Sequence, residues 1–164
     1  MSENNPAQKP AAQRLQEALD PFGFDLQVVE FPTSTRSAAE AAAVIGCSVA
    51  QIAKSIILRG THSDRPILVV TSGTNRVCEK KLEALLGEKP GKADADFVRT
   101  RTGFAIGGVA PIGHSEAPII LLDQDLADHG QIWAAAGTPN AVFSLTPDQL
   151  VRLTGADWAD IRQV

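Results

Sequence analysis

Two runs of consecutive branched apolar residues, Ile67-Leu68-Val69-Val70 and Ile119-Ile120-Leu121-Leu122, do most to limit what this chain can become. Side chains on a strand alternate between its two faces, so a strand without a polar residue at either parity must be covered on both sides. Each run is short and opens on a proline, Pro66 or Pro118. That length and punctuation suit a central strand better than a buried helix. Helices must therefore exist to cover both faces of a sheet.

The chain supplies them. Leu15, Ala18 and Leu19 recur at helical spacing ahead of Pro21 and Gly23. Ser37 followed by Glu40 is a capping-box pattern, and it precedes an alanine-rich run to Ile45 with Gly46 at its end. Residues 77–86 read as a helix with Leu82, Leu85 and Leu86 inward and Lys80 and Lys81 outward, and residues 94–101 as a shorter one. Thr146, Pro147 and Gln149 start a last helix through Leu150 and Leu153, stopped by Gly155. Between these lie a strand over 24–31, a short helix capped by Ser48, a β-prone run over 55–59, and two strands over 132–137 and 141–145 joined by Thr138-Pro139-Asn140. The interleaving is irregular, which predicts an α+β fold with a mixed sheet surrounded by helices.

At 164 residues the chain fits one domain, residues 11–164, behind a polar tail over 1–10 that is expected to be flexible and lacks the apolar stretch of a signal peptide. Cys47 and Cys78 are too few for a disulfide framework, so a cytoplasmic, reduced protein is expected. His62, His114 and His129 show no ligand spacing, and neither a metal nor another cofactor is predicted. No stretch is long and apolar enough to span a membrane. The net charge of −4 argues against holding DNA or other nucleic acid on a general basic surface. Charge is nevertheless segregated: residues 76–101 carry seven basic side chains against five acidic ones, whereas from Ser115 onward there are seven acidic against two basic. Such asymmetry either steers a polyanion toward one face or belongs to a solvated helix.

Two places call for more than packing. Residues 103–114, Gly-Phe-Ala-Ile-Gly-Gly-Val-Ala-Pro-Ile-Gly-His, form an apolar run broken by four glycines and a proline. Backbone there can turn where a side chain would forbid it and can approach a ligand closely. The other place is Lys54, which falls at an expected helix-to-strand junction between Ile52, Ala53, Ile56 and Ile57. A lysine so flanked either snorkels outward or meets an anion. The hydroxyl cluster Thr33-Ser34-Thr35 with Ser37 marks a helix start. Cys78 stands at another helix start without a neighbouring histidine and reads as an incidental thiol, and His114 either lines a pocket or is an exposed loop histidine.

Gln51-Ile52-Ala53-Lys54-Ser55, Arg76 with Lys80-Lys81-Leu82, and Thr102-Gly103 through Gly107-Gly108-Val109-Ala110-Pro111-Ile112-Gly113 stand in order along the chain, followed by Ala136-Gly137 and Thr146-Pro147-Asp148-Gln149-Leu150. Together they resemble the YbaK-type aminoacyl-tRNA editing family, related to the editing domain of bacterial prolyl-tRNA synthetases, over roughly residues 31–153. The resemblance implies a curved, barrel-like mixed sheet ringed by helices. It also implies metal-independent hydrolysis of the ester that joins a wrong amino acid to tRNA, commonly the proline tRNA. The partners implied are the aminoacyl-tRNA acceptor end and prolyl-tRNA synthetase, with no membrane and no DNA. Lys54 would be the functional lysine, and Gly107 and Gly108 would offer loop amides to the reacting ester. Ser55, Val109, Ala110, Pro111, Gly113 and Gly137 would bind substrate, with Thr35 of the hydroxyl cluster beside them.

Where the similar cysteinyl-tRNA deacylases carry a serine and an aspartate, this chain has Ala135 and Val142. That implies a smaller, more apolar wall and leaves alanine, serine, threonine or a small non-protein amino acid as the residue removed. Two rival readings stand beside this one. A non-catalytic module would bind a tRNA end or a nucleotide; a hydrolase of free esters or thioesters would use Cys78 or His114.

Overall fold

The computed structural model describes residues 10–164, so all of the expected tail except Pro10 lies outside the described residues. One eight-stranded mixed sheet organises the chain. In chain order the elements are α1 (Ala11–Leu19), β1 (Val28–Glu30), α2 (Ala38–Ile45), β2 (Ile52–Gly60), β3 (Pro66–Ser72), α3 (Glu79–Leu86), β4 (Pro90–Lys92), α4 (Ala95–Thr102), β5 (Ile119–Asp123), β6 (Ile132–Ala135), β7 (Ala141–Leu145), α5 (Pro147–Thr154) and β8 (Trp158–Ala159). The strands lie in the order β1-β7-β6-β2-β3-β5-β8, with β4 paired to β2 off this path. β1 and β8 end the path without pairing to each other, so the sheet is open and not a closed barrel.

The two apolar runs sit where their composition requires. β3 lies between β2, antiparallel, and β5, parallel, and every residue of β3 is buried. Its Leu68 and Val70 join the main core with Leu15 of α1, Val98 of α4 and Leu150 of α5. Its Ile67 and Val69 face the other way, against Leu82 of α3 and Ile161. A third, smaller cluster packs Ala38, Ala41 and Ala42 of α2 on Ile52. Alanine at these positions lets α2 approach the sheet closely, and both halves of its capping box are formed between Ser37 and Glu40.

Several boundaries differ from the sequence expectation. The first strand holds three residues and not eight, because Asp25 has a positive φ of 57° that breaks extension ahead of it. The third helix starts at Glu79: Val77 is drawn into a bridge with Arg162, and the Cys78 N–H bonds the Ile161 carbonyl at 2.8 Å. Residues 49–51 form a 3-10 turn, and β2 begins at Ile52, so Lys54 lies inside a strand and not at a junction. Strands β4 and β8 were not anticipated. Among the described residues no helix is long and apolar enough to cross a membrane.

Candidate active site

The arrangement of partners along β2 makes the site. On one edge β2 pairs with β3 continuously from Ala53 to Arg59. On the other edge it pairs with β6 only through Ile52 and Ala53, and with β4 only from Leu58 to Gly60. Lys54, Ser55, Ile56 and Ile57 therefore have no partner strand on that side. Alternation shows which backbone groups point there. The Gly60 N–H bonds Arg65 and the Ile52 carbonyl accepts from Gly73, both on the β3 side, whereas the Thr61 N–H turns to Lys89 on the β4 side. Even-numbered residues thus direct their backbone groups to β3, and Ser55 directs its N–H and C=O into the gap.

The gap opens into a cavity of about 520 Å³. Its floor is β2 from Ile52 to Ile57, and one wall is the start of α2 with Thr35, Arg36, Ser37 and Glu40. Ile106, Gly107 and Val109 form a second wall, and Trp133, Ala134, Ala135 and Val142 a third. Lys54 is exposed along this cavity and has no ion-pair or side-chain hydrogen-bond partner among the described residues. The Ser55 hydroxyl is buried and also lacks a partner. A buried, unmatched hydroxyl costs roughly 1–3 kcal/mol, and such a group beside a vacant strand edge is a place prepared for a ligand.

Of the residues proposed from sequence, Lys54, Ser55, Gly107, Val109 and Thr35 line this one cavity. Gly108, Ala110, Pro111, Gly113 and Gly137 do not. The loop splits at Gly107: residues 108–112 are buried, with Val109 alone of them reaching the cavity wall. The Gly108 N–H is spent on the Ala105 carbonyl at 3.0 Å, and a side chain there would come within 2.8 Å of the Thr138 backbone. Gly108 therefore seats the loop on the β6–β7 turn. Gly137, with φ of 97°, plays the same part against α1, where an added Cβ would lie 2.8 Å from the Ala11 carbonyl oxygen. Gly113 has φ of 81° and closes the loop over Phe104. Thr35 is on the wall, but its hydroxyl donates to the Pro139 carbonyl at 3.0 Å and its N–H to the same oxygen at 2.6 Å, so it anchors the start of α2.

His114 and Cys78 stand outside the cavity. The His114 ring donates from Nε2 to the Ala110 carbonyl at 2.6 Å and meets Phe104 edge-on, and burial pushes its pKa below the usual imidazole range. It is a loop brace. Cys78 caps α3 on the other side of the sheet from the main core, and burial pushes the Cys47 thiol up, away from thiolate character. Among the described residues no group of three or more His, Cys, Asp or Glu side chains could hold a metal ion. Sequence reasoning missed Arg36, Glu40, Ile106 and Trp133. Arg36 and Glu40 belong to a helix start, whose capping signal hid them; Ile106 lies in the glycine loop without a polar group to mark it, and Trp133 carries no local signal.

A cation and a vacant strand edge around an apolar hollow do not by themselves identify a family. The comparison with known families does: residues 33–153 match the aminoacyl-tRNA editing domain, from the segment before α2 through α5. The chain belongs to the aminoacyl-tRNA editing family. The match spans every wall of the cavity. An uncharacterized protein of Bacillus subtilis (strain 168), YwhH, is 35% identical to this editing domain over 135 residues, 82% of this chain and 85% of that protein. EbsC of Enterococcus faecalis, described as a candidate Cys-tRNA(Pro)/Cys-tRNA(Cys) deacylase, is 25% identical over 126 residues, 76% of each chain. Among solved structures, a candidate trans-editing enzyme for prolyl tRNA synthetase superposes with a TM-score of 0.89 at 44% identity, covering 95% of this chain and 99% of its own. The protein APE2540 gives 0.85 at 28% identity, covering 92% and 99%. The mixed sheet and its helices are thus those of a YbaK-type editing domain.

Proposed function

We propose that this editing domain acts in trans, in the cytoplasm, as a deacylase of mischarged tRNA, removing a small non-cognate amino acid from the proline tRNA. The observation that carries the proposal is the four-residue interruption in β2 pairing, which turns unmatched backbone and hydroxyl groups of Ser55 into a cavity beside an unpaired lysine. Similarity to a candidate trans-editing enzyme for prolyl tRNA synthetase supports the choice of tRNA and of that synthetase as a partner.

An aminoacyl ester is already activated, and its hydrolysis asks for an aligned carbonyl, a held water and support for the developing oxyanion. Lys54 supplies a fixed positive charge at the reacting end. The Gly107 N–H, which has no partner among the described residues, and the Ser55 N–H are the donors that can meet the ester oxygen. Among the described residues Glu40 is the sole carboxylate on the cavity wall, where the substrate's α-ammonium group can find an opposite charge. Ala41, Ile52, Ala135 and Val142 leave an apolar recess for a small side chain. The side chains of that recess offer a hydroxyl or thiol no hydrogen-bond partner, so alanine and 2-aminobutyrate fit it better than serine, threonine or cysteine.

The test is a deacylation panel on proline tRNA charged separately with alanine, 2-aminobutyrate, serine, threonine, cysteine and, as control, proline. Alanine or 2-aminobutyrate is expected to leave at least about tenfold faster than proline, a ratio within the reach of one or two methylenes in a fitted pocket. Release of none of them refutes the deacylase and favours a module that only binds the tRNA end, a reading that the lack of histidine or cysteine on the cavity wall also suits.

A further inference from the structure

The cavity carries a second cation that neither the fold nor the ester chemistry requires. Arg36 directly precedes the N-cap Ser37 of α2, and the chain beneath it is fastened: Thr35 is tied twice to Pro139, and the Arg36 N–H bonds the Ser34 hydroxyl at 3.1 Å. Its aliphatic stem lies on Gly107. A Cβ built at Gly107 would come within 2.5 Å of Arg36 Cγ, 3.0 Å of Nε and 3.1 Å of Cδ. The glycine is therefore needed for its φ of 91° and for the room it leaves this side chain.

Among the described residues the guanidinium itself has no carboxylate. Arg59, Arg101, Arg152 and Arg162 each meet an Asp or Glu within 4.0 Å; Arg36, like Arg14, Arg65, Arg76 and Arg99, has no ion pair among the described residues, and of these five it is the one that lines the cavity, as an exposed side chain. Glu40, the one acid on that wall, has Oε1 committed to the Ser37 N–H at 3.2 Å. A planar fork of donors, braced along its stem and left without an anion, is suited to a bidentate oxyanion partner. An aminoacylated RNA end offers one kind only: the amino-acid carboxyl is esterified and its amino group is cationic, so the available negative charge is phosphodiester.

We propose that Arg36 binds the phosphodiester preceding the terminal nucleoside of the substrate and so sets how deep the acylated ribose enters toward Lys54. The assignment rests on the deacylase reading above and makes Arg36 a positioning residue. It gives the two cations separate tasks, Lys54 at the ester and Arg36 one linkage upstream.

The experiment uses the full chain and has two arms. In the first, binding of an uncharged RNA hairpin ending in CCA is followed by fluorescence anisotropy across a salt series. Arg36→Met, which keeps the stem on Gly107, is expected to weaken binding ~10-fold and to flatten the dependence of log affinity on log salt by ~0.7, the share of one phosphate on a single strand. Arg36→Lys should recover part of the affinity and the full slope. In the second, hydrolysis of the alanyl-charged hairpin is compared with that of alanyl-adenosine, which has no phosphodiester. The wild type should favour the hairpin through KM, and Arg36→Met should lose most of that preference with kcat for the hairpin changing less than KM. Arg36→Gln, which is shorter, is read in place of Met if the Met variant melts at a lower temperature. Equal affinity and equal salt slope in wild type and variant overturn the assignment whatever the second arm shows. A wild type that hydrolyses neither substrate while the binding difference persists refutes the deacylase and leaves Arg36 as a phosphate contact.

Discussion

β2 and β3 are paired neighbours that have opposite surroundings. β3 has a strand along both edges and a packed cluster on both faces, so its backbone and side chains are fully spoken for. β2 shares one of those edges, yet its other edge is interrupted between β6 and β4, and there its polar groups are left for something else. The contrast sets a strand paired along both edges beside one that is incompletely paired, and the first fixes the position of the second. The candidate site lies at the interruption, and the strand buried on both faces lies one strand away.

Substitutions on the two strands should separate these roles. Leu68→Ala, opposite Ile57 and buried in the main core, should lower stability by ~2.7–5 kcal/mol in denaturant unfolding, as buried leucine truncations do, while the folded fraction keeps its deacylation rate. Lys54→Ala, one turn of the pleat from the same core, should reverse that outcome. Deacylation should fall ~100–1000-fold, the effect of deleting a group that supports an oxyanion. Its unfolding free energy should hold to within about the ±0.5 kcal/mol typical of exposed sites. A Lys54→Ala variant that edits at the wild-type rate would remove this residue from the chemistry. Ser55→Ala sharpens the contrast further, because it deletes a buried hydroxyl that has no partner in the free protein. It should leave stability level or raise it by up to ~1 kcal/mol while kcat/KM drops ~10-fold, whereas a loss of stability would show that the hydroxyl is matched within the fold.

The smallest effect belongs to the loop brace. Burial holds the His114 ring neutral in the folded chain, below its unfolded pKa of about 6.5. The unfolded state then takes up the proton first as pH falls, so His114's contribution to stability is complete above about 6.5 and declines below it, toward the folded pKa. Melting curves at pH 7.5 and 5.5 should show a decline of a few degrees in the wild type that is reduced in His114→Gln. An equal decline in both would mean that other groups cause it.

Much of this was legible in the sequence, and the misses have physical causes. The apolar runs announced the doubly covered strands, the caps announced α2 and α5, and motif resemblance brought Lys54, Ser55, Thr35, Gly107 and Val109 to one hollow before any geometry was known. The same resemblance overcounted the loop. A glycine that lets backbone approach a ligand and a glycine that lets backbone approach backbone read identically, and Gly108 and Gly137 are of the second kind. β4 was missed because it is three residues long and begins on a proline, although it bounds the gap that defines the site. Arg36 was hidden by the capping residues around it.

Unpaired strand edges ordinarily invite other chains to add to them, and proteins guard against such polymerisation with charges, prolines or bulges. The open edge of β2 has a different safeguard. It is only four residues long and is stopped at one end by β6 and at the other by β4, so an extended segment from another molecule has nowhere to run. A compact, branched guest can still enter from the side. The length of the interruption therefore disfavours strand addition at this edge while keeping hydrogen-bonding capacity in reserve, and lengthening it by trimming β4 should remove that safeguard.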